Sequence, residues 1–223
     1  MKNLLSHRLP TILGVLLIIG CAVTQEAKAG ESQYRCSVGK LYKKVNDTLL
    51  MRIGTGFVAG NQSHICTAAH VVMQDTLLFK LWGSTKYDSV VVKYLNPQHD
   101  LAVLETINDV QMPSLQFGDF DLLREGDSII VVGWRTDKLL QAEIILIYSI
   151  GLATIGSTTV DYVAFMSNSI PGYSGGPVLN IEGKVIGIFK GQFEFIGTDS
   201  TAVKSEIALS IKPIIIYEDS LEE

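Results

Sequence analysis

The sequence predicts an all-β protein, and three observations carry that expectation. Beyond residue 33, Val, Ile, Thr and aromatic residues gather in short runs punctuated by Gly, Asn, Asp and Pro, as in pleated strands and the turns between them. The runs follow one another closely, without the helical segments of a βαβ pattern, so a sandwich or barrels is expected. With 47% of its 223 residues hydrophobic, the chain can bury the core of one or two domains.

The first residues stand apart from that core. Lys2 and Arg8 precede "LPTILGVLLIIGCAV", and no further charge appears until Glu26. A basic start followed by a short apolar run is an export signal, and the run is short for a membrane span. Two cleavage sites compete. "AKA" at 27–29 suits removal of residues 1–29. "IIGC" at 18–21 resembles a bacterial lipobox, which would remove residues 1–20 and leave Cys21 as a lipidated first residue. Either way the protein is expected outside the cytoplasm of a bacterium, periplasmic or secreted, with membrane anchoring in the second case. In such an oxidising compartment Cys36 and Cys66 are a candidate disulfide. Cys66 also reads as a small buried hydrophobe inside "HICTAAH".

The β-rich runs come in order. "LLMRIGTGFVAG", "SHICTAAHVV", "DTLLFKLWG", "YDSVVVKYL" and "HDLAVLE" precede residue 108. "DSIIVVGW", "AEIILIYSIGLATIG", "VDYVAFMSNS", "GPVLN", "KVIGIFKG" and "SEIALSI" follow residue 126. Between the two groups, 108–127 is poorest in strand pattern and reads as a connection. Short helical pieces are expected after Ala68 and from Lys212.

Charge narrows the function classes. The formal charge of −5 becomes −7 without residues 1–20, which hold Lys2 and Arg8 and no acid. An acidic domain with no basic cluster argues against nucleic acid as a partner. No CxxC pair, HExxH or phosphate-binding glycine loop occurs, so neither a metal nor another cofactor is expected.

The chemistry gathers around "PGYSGGPVLNIEGKVIGI" at 171–188, where Ser174 sits among Gly172, Gly175 and Gly176. Such a cluster is often only a turn. Glycines also let the backbone expose a hydroxyl beside bare N–H groups. A serine nucleophile needs a base, a group that orients the base, and donors for an oxyanion. The histidines are His7, inside the export segment, and His64, His70 and His99, all before Ser174. That order excludes the nucleophile elbow of α/β-hydrolases, which needs a helix after the serine and a histidine later in the chain. The order His70, Asp100, Ser174 remains.

With these residues in place, "GTGFVAG", "TAAHVV", "HDLAVLE", "GDFDLLREGDSIIVVGW" and "PGYSGGPVLNIEGKVIGI" resemble the landmarks of trypsin-like serine proteases. Their order and spacing are most like those of the bacterial HtrA/Deg branch, over roughly residues 50–212. The resemblance implies two six-stranded antiparallel β-barrels, about 34–107 and 122–211, within a protease domain of 34–217 that ends in a short helix. It implies Ser174 as nucleophile, His70 as general base and Asp100 as its orienting carboxylate. The backbone N–H groups of Gly172 and Ser174 match the oxyanion hole. Asn168, Ser169, Ile170, Ile188 and Phe189 are expected to line the substrate cleft, and protein or peptide substrates follow.

Departures from the family pattern qualify this reading. Tyr173 replaces the usual Asn or Asp before the nucleophile, so an N-terminal ion pair of the digestive-protease kind is not expected. Its side chain either disturbs the oxyanion hole or fills a pocket against the second barrel. No acid falls at the base of the specificity pocket, so cleavage after Lys or Arg is not predicted. No PDZ domain is expected after the protease domain. The rival function is a catalytically impaired, protease-like peptide-binding protein, which Tyr173 keeps open.

Overall fold

Strands account for most of the computed structural model, which describes residues 34–73, 76–136, 138–155, 157–167, 172–196 and 202–221. Both expected cleavage sites, with Cys21, lie outside the described residues, as do Asn168, Ser169 and Ile170. Twelve strands form two closed antiparallel barrels. The first contains β1 (Val38–Lys44), β2 (Leu50–Val58), β3 (His64–Thr67), β4 (Leu77–Leu81), β5 (Asp88–Asn96) and β6 (Leu101–Thr106). These close in the order β1-β2-β3-β6-β5-β4. The second contains β7 (Ser128–Trp134), β8 (Leu140–Ile155), β9 (Thr158–Phe165), β10 (Pro177–Asn180), β11 (Val185–Ile196) and β12 (Ala202–Ser210). Their order is β10-β11-β12-β9-β8-β7. Full closure leaves neither sheet an unpaired edge to template aggregation.

Strand β1, "VGKLYKK", carries little of the sequence signal for a strand. Three lysines in seven residues hide it, yet Val38 and Leu41 are fully buried. Lys40 is buried as well, its ammonium 4.1 Å from the centre of the Trp134 ring. That cation–π contact lets a charged residue occupy the seam between the barrels.

The core follows the same seam. One apolar cluster runs from Phe57, Phe79 and Leu104 of the first barrel to Val132, Leu179 and Ile188 of the second. A second cluster fills the second barrel around Val131, Val163, Phe165, Val178 and Ile186. The connection at 108–127 is stitched to both halves by the bridges Ala59–Leu115 and Phe117–Val185. Within it Phe120–Leu122 forms a short 3-10 turn whose Asp121 amide donates to the Asp119 carboxylate.

The C-terminal helix α1 (Lys212–Asp219) begins with Pro213 in its first turn and buries Ile214 against the first core. Its Glu218 Oε1 lies 2.7 Å from Nδ1 of the buried His64, and Tyr217 stacks on Tyr94 at 4.7 Å. The helix thus fastens the end of the chain to the first barrel.

The expected Cys36–Cys66 disulfide does not form; both thiols are free. Cys66 lies on β3 with its thiol sealed in the first core, while Cys36 is exposed in the turn before β1. Burial, with the charge of Glu218 adding to it, pushes the Cys66 thiol well above its ordinary pKa.

Candidate active site

His70 and Asp100 meet at the rim of the first barrel. β3 ends at Thr67, and Ala69–Val71 form a single 3-10 turn that carries His70 outward, leaving its side chain 43% exposed. Asp100 closes the turn before β6, its amide donating to the Pro97 carbonyl at 3.3 Å. Its φ is +53°, left-handed space that Asp tolerates better than most residues. In that conformation its carbonyl accepts the Ala69 amide at 3.0 Å, and Oδ1 accepts the His70 amide at 2.9 Å. Asp100 Oδ2 lies 2.8 Å from His70 Nδ1. The carboxylate therefore grips both backbone and ring of the histidine.

A third group joins them. Lys190 Nζ, from β11 of the second barrel, lies 2.6 Å from Asp100 Oδ2. Burial alone would raise the Asp100 carboxyl. The hydrogen bonds from the His70 ring, from Lys190 and from the His70 amide outweigh it and hold the carboxyl below its ordinary pKa. The sequence reading missed Lys190. Its signal was a lone lysine in an otherwise apolar strand, "VIGIFKG".

Ser174 sits on a loop held from both sides. Gly172 (φ +110°) and Gly175 (φ +83°) adopt backbone shapes that side chains resist. A Cβ on Gly175 would fall 2.2 Å from Thr67 Oγ1 and 2.4 Å from the Thr55 carbonyl, so no other residue fits there. The buried Thr55 of β2 organises the loop. Its amide donates to the Ser174 carbonyl at 2.9 Å and its hydroxyl to the Gly172 carbonyl at 2.6 Å. The same hydroxyl accepts the Trp134 amide at 3.4 Å, and the Thr55 carbonyl accepts the Thr67 hydroxyl at 2.8 Å. On the other side, Gly175 and Phe189 are tied by Gly175 N–H to the Phe189 carbonyl, and Phe189 N–H to Gly176, both at 2.9 Å. Among the described residues, the amides of Gly172 and Ser174 have no acceptor.

The Ser174 hydroxyl donates to the Lys190 carbonyl at 3.4 Å rather than to His70. Lys190 thereby links the two halves of the site: its backbone meets Ser174 and its ammonium meets Asp100.

Tyr173 takes the second of its two expected courses. Its ring is 1% exposed, packs edge-on to Phe189 with 6.0 Å between centroids, and lies against the bare backbone of Gly133. Burial pushes its hydroxyl pKa up to about 12, with the charge of Glu143 adding and Arg135 opposing. Among the described residues, that hydroxyl has no hydrogen-bond partner.

The expectation that Ile188 and Phe189 line the cleft is corrected. Alternate side chains point to opposite faces of a strand, and here both faces are core. Ile188 joins the shared cluster and Phe189 the second, at 1% and 2% exposure. Only their backbone borders the site. His64 and His99 lie away from it: His64 pairs with Glu218, and His99 Nδ1 faces Asn96 Oδ1 at 3.2 Å. Among the described residues no His, Cys, Asp and Glu group could hold a metal ion.

Two closed barrels, with a histidine–carboxylate pair on one linked through Lys190 to a glycine-bounded serine on the other, point to the chymotrypsin-like class of β proteins. Residues 54–188 match the family described as the trypsin-like peptidase domain, and the chain belongs to that family. A probable periplasmic serine endoprotease, DegP-like, from Chlamydia pneumoniae is 35% identical over 144 residues, 60% of this chain and 28% of that protein. The chain thus matches under a third of that relative's length. Among solved structures, the HtrA-type protease AlgW with a decapeptide superposes with a TM-score of 0.70 at 20% identity, covering 86% of this chain and 66% of that one. An active-form protease from M. tuberculosis gives 0.66 at 22% identity, covering 83% and 81%. At those identities the structures share the fold.

Proposed function

We propose that the protein is a serine endopeptidase that hydrolyses peptide bonds of protein substrates through an acyl-enzyme. The observation that carries this reading is the continuous chain of contacts from Ser174 through Lys190 and Asp100 to His70. Ser174 Oγ attacks the peptide carbonyl carbon while His70 Nε2 takes the hydroxyl proton. The amides of Gly172 and Ser174 receive the oxyanion. The C–N bond then breaks and the amine leaves with the proton from His70. Water, deprotonated by His70, attacks the ester carbon and frees Ser174. Asp100 keeps a proton on Nδ1, so that Nε2 is the basic nitrogen, and offsets the imidazolium charge. The 3.4 Å contact of Ser174 with Lys190 has to be exchanged for one with His70 when substrate binds. Catalytic hydrogen bonds are often loose before that step.

Export supports a periplasmic setting, in keeping with the relative's name and with the apolar run at 9–23. Mass spectrometry of the mature N-terminus distinguishes lipidation at Cys21 from removal of residues 1–29.

One observation favours the rival reading, a peptide binder without activity: the Ser174 hydroxyl is turned toward Lys190. A fluorophosphonate probe separates the two. The peptidase reading expects labelling of the folded protein that is lost in Ser174→Ala. Absence of labelling in folded wild type favours the binder.

A further inference from the structure

We propose that Lys190 is a positioning residue of this site, fixing the Asp100 carboxylate toward His70 and sharing its charge. This rests on the reading of His70, Asp100 and Ser174 as one catalytic unit.

Lysine costs too much solvation to enter a barrel seam without a partner. Lys190 is 23% exposed at the side chain, while the carboxylate it meets is 6% exposed. Its contact is with Oδ2, the same oxygen that lies 2.8 Å from His70 Nδ1. The His70 amide on Oδ1 and the His70 ring on Oδ2 already restrain the carboxylate. With the Lys190 ammonium also on Oδ2, rotation about its last bond breaks an ion pair as well. The lysine is itself constrained, because its carbonyl accepts the Ser174 hydroxyl and the preceding residue, Phe189, is locked to Gly175 and Gly176 by two backbone bonds.

The sign of the electrostatic effect follows from the geometry. An imidazolium beside a bare carboxylate is stabilised by the full negative charge. When an ammonium sits on the same oxygen, part of that charge is already neutralised, and the imidazolium gains less. Among the described residues, the charged or titratable groups facing Asp100 are His70, from the 3-10 turn, and Lys190, from β11. His99, its sequence neighbour, turns toward Asn96 and borders a separate cavity with Asp161 and Lys212.

The test compares wild type with Lys190→Met, which keeps the apolar stem, and Lys190→Arg, which keeps the charge. The rate of fluorophosphonate labelling is followed from acid to neutral pH. The acid limb is expected to move up by about one pH unit in Lys190→Met and to stay near wild type in Lys190→Arg. A lysine with a merely structural role would lower the melting temperature and leave the limb in place. The second measurement does not need activity. The His70 ring is titrated by NMR in Ser174→Ala, with and without Lys190→Met, and the midpoint is expected to rise by a similar amount. A midpoint unchanged by Lys190→Met overturns the proposal, whether or not the wild type labels. Absence of labelling together with a shifted midpoint overturns the peptidase reading and leaves the role of Lys190 standing.

Discussion

Replacing Thr55 by valine tests whether one hydroxyl, far in sequence from Ser174, holds the nucleophile loop. Valine keeps the branched shape, and Thr55 is fully buried, so packing changes little. The loss falls on two contacts: donation to the Gly172 carbonyl at 2.6 Å and acceptance from the Trp134 amide at 3.4 Å. A buried group left unpartnered costs about 1–3 kcal/mol, and the longer contact belongs at the low end, giving roughly 2–4 kcal/mol in all. Part of this appears as lower stability. The rest appears in activity, because the Gly172 carbonyl fixes the backbone between the two amides assigned to the oxyanion. Losing one such donor costs about 10²–10³-fold in kcat. The assay is kcat/KM on a peptide substrate, or the fluorophosphonate labelling rate, alongside a thermal melt. Thr55→Val is expected to lose roughly 10²-fold in rate, while Thr55→Ser, which restores the hydroxyl, stays within about tenfold of wild type. If Thr55→Val keeps wild-type rate and melting temperature, the hydroxyl does not organise the loop and the reasoning fails.

Asp100 is held ionised below the ordinary carboxylate pKa, so its contribution to stability is full above that range and disappears as pH falls through its lowered folded-state value. Melting temperature followed from neutral pH into acid is expected to fall less steeply for Asp100→Asn than for wild type, and at neutral pH that variant loses about 10⁴-fold in kcat. Tyr173→Phe removes a hydroxyl that is buried without a partner among the described residues, so the variant is expected to be at least as stable as wild type and to label with the probe at an unchanged rate; a large drop in either shows that the hydroxyl has a function. The two thiols should separate cleanly under a maleimide reagent, Cys36 reacting in the folded protein and Cys66 only after denaturation, as read by mass spectrometry.

Much of the fold and the linear order of the candidate site were legible from local patterns. Apolar alternation and turn residues mark eleven of the strands, and histidine order alone removed the α/β-hydrolase reading. What stayed hidden depended on contacts between distant segments. Strand β1 reads as polar because Lys40 finds its place only on Trp134, nearly a hundred residues later. Thr55 and Lys190 look ordinary until the barrels meet. Ile188 and Phe189 sit in the right segment, but only the second core shows that both faces of their strand are covered. The cysteines illustrate the same limit. Two thiols after an export-like start suggest a pair, and the local reading of Cys66 as a small buried residue could not decide against one until the folded barrel sealed its thiol away from Cys36.

The helix that ends the described chain bears on the order in which the molecule is completed. Ile211 and Ile214 belong to the same apolar cluster as Phe57 and Leu104, so the half made first cannot finish packing until the half made last has emerged. Nascent or truncated chains lacking this segment would leave the part of the first core beneath Ile211 and Ile214 uncovered, a hydrophobic surface that invites aggregation or quality-control capture. The candidate site, which draws on both barrels, is therefore not fully supported until this segment has been made.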